Sequence, residues 1–324
     1  MHEPHEPPTP TTTVPPTADA PASAAARARV GVLCTSGAFF IWGMVPLYFR
    51  ALGAVSPFEV IAHRVLWSVV FLVALLAATR GFADVRAAGR DGRMLARLGL
   101  TSFLVTSNWL TFVWAVSAGR VLETSLGYFI TPQVNVLLGL VFLHERLRPL
   151  QWGAVALAVA GVLNQIWLLG QLPWISLLLA ATFGSYGLFR KQIPVDPVAG
   201  LLVETSLAAP FAAAYLIYLG RSATMSFAHQ SRGLDAMLMF LGVLTAVPLM
   251  LFATGAQRLR LATVGFLQYL APSMTFLLAV FVFGEPLGLP RATTFALIWA
   301  GIVVYFVDGW REGRRVSRPP AQTR

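Results

Sequence analysis

The chain has 324 residues, of which 56% are hydrophobic and only 12% charged. A soluble domain carries about 25% charged residues, so this density points to lipid as the surrounding medium. The single cysteine excludes an intrachain disulfide framework and a cysteine-based zinc site. The net charge of +10 does not argue for nucleic acid, because the cations fall in short loops and a tail between apolar runs.

Residues 1–29 are rich in Pro, Thr and Ala without apolar periodicity, and a disordered tail is expected there. They show no short apolar core with a small-residue cleavage site, so no removable signal peptide is expected. Ten apolar segments follow, at 30–49, 57–78, 95–117, 122–143, 150–169, 172–190, 198–219, 235–256, 262–284 and 290–308. Each approaches the roughly 20 residues that a spanning helix requires. No alternating barrel pattern is present, and unpaired backbone is costly in lipid, so the spans are expected to be helical. Most links are short. Those at 80–96 and 220–234 are long enough for surface helices.

Polar residues within the spans are the candidates for function, since a charge at mid-bilayer costs at least about 2.5–3.5 kcal/mol by insertion scales. The first span carries Trp42, and Cys34 reads as a small core residue. The second carries Glu59, His63 and Arg64. Glu59 and His63 share a helix face, with Arg64 turned about 100° onward. These three read either as an anion-binding or proton-coupling cluster facing a central cavity, or as an ion pair that locks packing. The third span brings Asn108, Trp109 and Trp114. The fourth has Ser125, Tyr128, Thr131 and Asn135 at spacings of three and four. A polar stripe of that length is expected to face protein or water rather than lipid. Tyr186 lies on the sixth span, Glu204 on the seventh, and Gln268 and Tyr269 on the ninth. Glu204 reads as a proton-coupling carboxylate or a paired structural one. Glu123 is expected to pair with Arg120 at a rim, and Glu145 and Glu285 to pair with a nearby arginine or terminate their helices. Trp152, Trp174 and Trp310 fit an interfacial belt. No phosphate-binding loop, metal-binding spacing or nucleophile elbow occurs, so no cofactor, no metal site and no catalytic residue is expected.

With the N-terminus placed inside, 18 of the 24 Lys and Arg fall on the inner side and 5 on the outer, with Arg64 in a span. That asymmetry predicts both termini in the cytoplasm.

The segment RVLETSLGYFITPQVNVLLGLVFLHERLR, from Arg120, recurs as RLATVGFLQYLAPSMTFLLAVFVFGEPLG from Arg260. Without a gap, Arg120 falls on Arg260, Pro132 on Pro272 and Glu145 on Glu285. At the same offset Arg64 falls on Glu204. Five helices per half is an odd number, so the halves, 30–169 and 170–308, are expected to cross in opposite senses, with 309–324 as a basic tail. Each proline frees a mid-helix carbonyl, which suits either a hinge or a fixed bend. The predicted fold is an all-α membrane protein of ten helices in two inverted repeats.

The segments FFIWGMVPLYF, Glu59-x-x-x-His63-Arg64, SNWLTFVWAV, ETSLGYFITPQVNVLLGLVFLHER and RLRLATVGFLQYLAPSMTFLLAVFVFGE resemble the EamA branch of the drug/metabolite transporter superfamily, and within it the RarD proteins. The resemblance runs from Val30 to Asp308 and implies a ten-helix permease of the bacterial inner membrane. The expectation is a secondary-active exporter of small organic metabolites or drugs by alternating access. Coupling to protons is expected through Glu59, His63 and Glu204. The partners are then a small solute and the bilayer, not nucleic acid, and a homodimer is compatible with such a chain. The alternative is an integral-membrane enzyme or lipid-handling protein. That would gather its polar residues at one interface, whereas here they are spread along the spans.

Overall fold

The computed structural model describes residues 20–53, 55–170, 174–282, 284 and 288–316. All regular structure among them is helical. In chain order the helices are α1 (Ala20–Leu52), α2 (Pro57–Thr79), α3 (Phe82–Arg90), α4 (Gly92–Ser117), α5 (Val121–Phe142), α6 (Pro149–Leu169), α7 (Trp174–Gln192), α8 (Pro197–Arg221), α9 (Arg232–Arg258), α10 (Leu261–Gln268), α11 (Leu270–Phe281) and α12 (Leu289–Val316). Nine spans among the described residues are long and apolar enough to cross a membrane, with α10 and α11 counted as one. The shorter α7 is the remaining segment, packed against α5, α4 and α9. Glu285 lies outside the described residues.

Local chemistry sets the boundaries. Pro57, Pro149 and Pro197 open their helices, where the missing N–H has no intrahelical partner to lose. Asp91, Asp196 and Ser231 cap α4, α8 and α9 through their side chains. Two expectations need correction. Residues 20–29 are helical rather than part of a disordered tail, because the alanine-rich run has high helix propensity and extends the first span. The 220–234 link forms turns instead of a surface helix, while the 80–96 link does carry α3. In the 220–234 link, backbone N–H groups of Ser226 and Phe227 donate to Glu59, and that of Ala228 to Asp235.

The halves interlock. α1 and α2 pack on α9, α2 also packs on α8, and α5 packs on α7 and α10. α6 pairs with α12. The central core joins Phe39, Tyr186, Leu249 and Phe252 with Leu261 and Val264. Small residues permit the closest crossings, as expected where helices associate without a strong hydrophobic drive. Ser68 Oγ donates to the Gly242 carbonyl at 3.1 Å.

The two proline positions differ. α5 passes through Pro132 without interruption, whereas the chain breaks at Tyr269 between α10 and α11, just before Pro272. Proline cannot donate to the residue four positions back and crowds that carbonyl. For Pro272 that residue is Gln268, the last of α10.

Candidate functional site

The sequence-related segments α5 and α10–α11 meet along only part of their length. At the arginine-rich end they are fastened together. Asn135 Nδ2 donates to Gln268 Oε1 at 2.8 Å, and Gln133 donates to the Tyr269 hydroxyl. Glu145 lies beyond the end of α5 and caps the start of α10, accepting from the backbone N–H groups of Leu261 at 2.6 Å and Ala262 at 3.1 Å. Arg260 lies 3.9 Å from Glu145, and Lys191 donates to the Leu259 carbonyl. An acidic group at a helix N-terminus is doubly favoured, by orphan N–H groups and by the helix dipole. Toward the opposite end α11 leans on α1 and scarcely touches α5. There Ser125 is exposed, and Tyr128, deep in the sequence of a spanning helix, is 48% exposed.

The predicted stripe on α5 therefore has two parts. Thr131 and Asn135 are buried, with Thr131 donating back to the Gly127 carbonyl. Ser125 and Tyr128 are exposed. Near Tyr128 stand Arg64 of α2 and Phe112 of α4, and Arg64 in turn reaches Trp109 of α4 and Thr245 of α9. Arg64 Nε donates to Thr245 Oγ1 at 2.9 Å. Its guanidinium carbon lies 4.8 Å from the Trp109 ring centre, within cation–π range. Tyr128 is within electrostatic reach of Arg64, and its ring centre is 6.0 Å from that of Phe112.

Glu59, His63 and Arg64 do not form one cluster. Glu59 Oε1 accepts from the backbone N–H groups of Ser226 at 2.8 Å and Phe227 at 3.1 Å. His63 stacks near Phe227, with ring centres 5.0 Å apart. Trp67 Nε1 donates to His63 Nδ1 at 3.3 Å. That places the neutral ring's proton on Nε2, which is 3.8 Å from Glu59 and has no hydrogen-bond partner. These two residues fasten the α8–α9 loop to α2, while Arg64 points onward to α4 and α9.

Glu204 draws on different partners. Thr101 Oγ1 donates to one carboxylate oxygen at 2.6 Å and the Tyr186 hydroxyl to the other at 3.3 Å. Arg190 Nη1 lies 3.4 Å from the carboxylate, and both side chains are at most 1% exposed. Arg190, counted by sequence with the inner-side cations, is not a solvated surface charge: it is among the largest fully buried side chains of the described residues. Its depth is made possible by Gly200, where a Cβ would stand 2.5 Å from Arg190 Nη1. Nothing in the sequence at Arg190-Lys191 distinguishes a buried arginine from a surface one. The pairing depends on how α7 and α8 pack. Beside Glu204, a small recess is lined by Val65, Thr106, Trp109 and Thr205 among others.

The remaining candidates are dispersed. Trp42 packs with Phe39, Phe183 and Phe252, and Tyr186 stacks on Phe252 in the same aromatic group. Asn108 donates to the Leu179 carbonyl and to Thr182 at 2.9 Å each, tying α4 to α7. Trp114 sits beside Trp174. At that same rim Glu123 holds Arg120 at 2.6 Å. Among the described residues no group of three or more His, Cys, Asp or Glu is placed to hold a metal ion.

An all-helical bundle with two interlocked, sequence-related halves and polar groups buried along its spans has the architecture of many membrane transporters. The chain belongs to the EamA-like transporter family, whose model matches residues 29–164 and again 172–307. Protein RarD of Salmonella typhi is 46% identical over 284 residues, which is 88% of this chain and 97% of that protein. An uncharacterized transporter of Vibrio cholerae is 45% identical, covering 90% and 96% of the two chains. A Pseudomonas aeruginosa relative called chloramphenicol-sensitive protein RarD is 35% identical over 89% and 96%. A crystal structure 21% identical in sequence matches with a TM-score of 0.65 over 86% of this chain and 97% of that one, which shows a shared fold. The chain is therefore a multi-pass membrane transporter with bacterial relatives.

Proposed function

We propose that this protein is a secondary-active carrier exporting small organic molecules across the bacterial inner membrane by alternating access. The supporting observation is the asymmetry between α5 and α10–α11. The two are locked at the arginine-rich end and apart at the other, where Ser125 and Tyr128 are exposed. With the arginine-rich end in the cytoplasm, as the charge asymmetry favours, this is the outward-open, inward-closed state. Passage to the opposite state requires the Glu145 cap and the Asn135–Gln268 bond to part, and Pro132 and Pro272 are the candidate hinges. Glu204, held by Arg190, Thr101 and Tyr186, is the leading group for proton coupling. Glu59 and His63 would act through the loop they fasten.

Purified protein in liposomes under an imposed pH gradient tests this reading. Solute flux is expected to follow the gradient, and Glu204→Gln is expected to uncouple the two. Flux of every solute tried that is indifferent to both Glu204→Gln and His63→Ala removes the coupling assignment.

The closed end allows a separate prediction. Hydrogen bonds to a charged acceptor are worth about 1.5–3 kcal/mol. Glu145→Ala should therefore speed hydrogen exchange at the Leu261 and Ala262 amides by about tenfold to a hundredfold. Unchanged exchange would mean that the carboxylate does not hold this end shut.

A further inference from the structure

Two helical arginines, Arg64 of α2 and Arg190 in the last turn of α7, are treated differently by the structure. Arg190 has a carboxylate partner in Glu204. The ion pairs found among the described residues use His63, Arg120, Arg148, Arg190 and Arg260, and Arg64 enters none of them. Its partners are a hydroxyl and an indole face. It is not sealed off: Arg64 is partly exposed, and the neighbouring Tyr128 is half-exposed. A cation inside a span that is paired with no carboxylate and remains partly exposed is an incomplete ion pair.

The carboxylates that could meet a positively charged solute are already engaged. Glu59 accepts two backbone N–H groups, Glu123 holds Arg120, and Glu204 holds Arg190, Thr101 and Tyr186. An ammonium group entering beside Arg64 would be desolvated without an opposite charge and would face a like one, both of which are unfavourable. The walls are aromatic on the α4 and α5 sides, through Trp109, Phe112 and Tyr128.

We propose that Arg64 is the solute's charge-recognition residue, and that the site beside it takes small organic monoanions, an aromatic or apolar body bearing one carboxylate, in preference to zwitterions and cations. The guanidinium presents a planar fork that a carboxylate matches with two parallel hydrogen bonds. Tyr128, exposed and within electrostatic reach of Arg64, supplies a second hydroxyl donor for the same group. The solute thereby supplies the counter-charge that the protein omits. This deepens the carrier reading above, but the test reads equilibrium binding and does not depend on transport.

The probes are three molecules with one ring system: indole-3-propionate as the anion, tryptophan as the zwitterion and tryptamine as the cation. Binding to the full chain in lipid nanodiscs is measured by calorimetry. The anion is expected to bind at least about tenfold more tightly than either of the others. Arg64→Gln should weaken the anion by about tenfold or more, while Arg64→Lys retains part of the affinity, since it keeps charge but not the fork. If Arg64→Gln fails to fold, Tyr128→Phe serves instead and should weaken the anion severalfold without altering the melting temperature. Equal binding of the three probes, no measurable binding of the anion, or a folded Arg64→Gln protein with undiminished anion affinity would each overturn the inference. Anion binding that depends on Arg64, together with no flux in liposomes, would instead overturn the carrier reading and leave this one standing.

Discussion

Replacing Arg190 by alanine is expected to cost about 3–5 kcal/mol of stability, the usual penalty when one partner of a buried ion pair is removed. The loss should show as a collapse of melting temperature in detergent and of protein level in the membrane. The reason is electrostatic rather than volumetric. Glu204 is 1% exposed, so without Arg190 its charge is left with only the Thr101 and Tyr186 hydroxyls. Replacing both members should be far milder. Arg190→Met combined with Glu204→Gln removes both charges and leaves the amide oxygen to accept from one hydroxyl and the amide NH2 to donate to the other, and buried pairs replaced together by neutral groups are often tolerated. The double variant is thus expected to melt well above Arg190→Ala. If the two melt alike, the arginine matters for its packing and not for the pair. A double variant that folds but carries no proton-coupled flux would separate a coupling role of Glu204 from its structural one.

Gly242→Ala is expected to disrupt the joint between α2 and α9. A Cβ there would stand 2.3 Å from the Trp67 carbonyl carbon, 2.4 Å from its oxygen and 2.7 Å from the Ser68 nitrogen. All three are backbone atoms, so no side chain can rotate aside and the helices must separate. Alanine in place of a helical glycine would otherwise gain about 0.5–1 kcal/mol. Overpacking costs about 1–3 kcal/mol and sometimes more, so the clash decides the sign. Separation would also break the bond from Ser68 to the Gly242 carbonyl and move Arg64 away from Thr245, since both pairs bridge α2 and α9. Gly153→Ala is the control. It too is helical, but a Cβ there meets nothing within 4 Å, and the variant should melt at or above the parent temperature. A Gly242→Ala protein as stable as this control would show that the crossing is looser than its geometry indicates.

Much of the architecture is legible in the sequence. Lipid-compatible helices follow from a composition with few charges and from runs near the bilayer's length. The tandem halves follow from the ungapped match of Arg120–Arg148 to Arg260–Gly288. Polar residues at spacings of three and four on α5 mark one face as non-lipid. These are local, periodic properties, and helices in lipid satisfy their own backbone, so they are little altered by what packs around them.

Which polar residues meet is a different kind of fact. Glu59, His63 and Arg64 are adjacent in sequence, yet the first two hold the loop at Ser226–Phe227 and the third reaches Thr245 and Trp109. Arg64 and Glu204 occupy equivalent places in the repeat, yet Glu204's cation is Arg190, a residue that reads as a surface charge at a helix end. Pro132 and Pro272 also occupy equivalent places, yet only the second coincides with a broken helix. A 100° turn per residue and the crossing of helices far apart in sequence decide each of these outcomes. Sequence alone determined a two-part helical transporter with charges in its spans. Tertiary packing decided that Glu204 is neutralised by Arg190, while Arg64 enters none of the ion pairs found among the described residues.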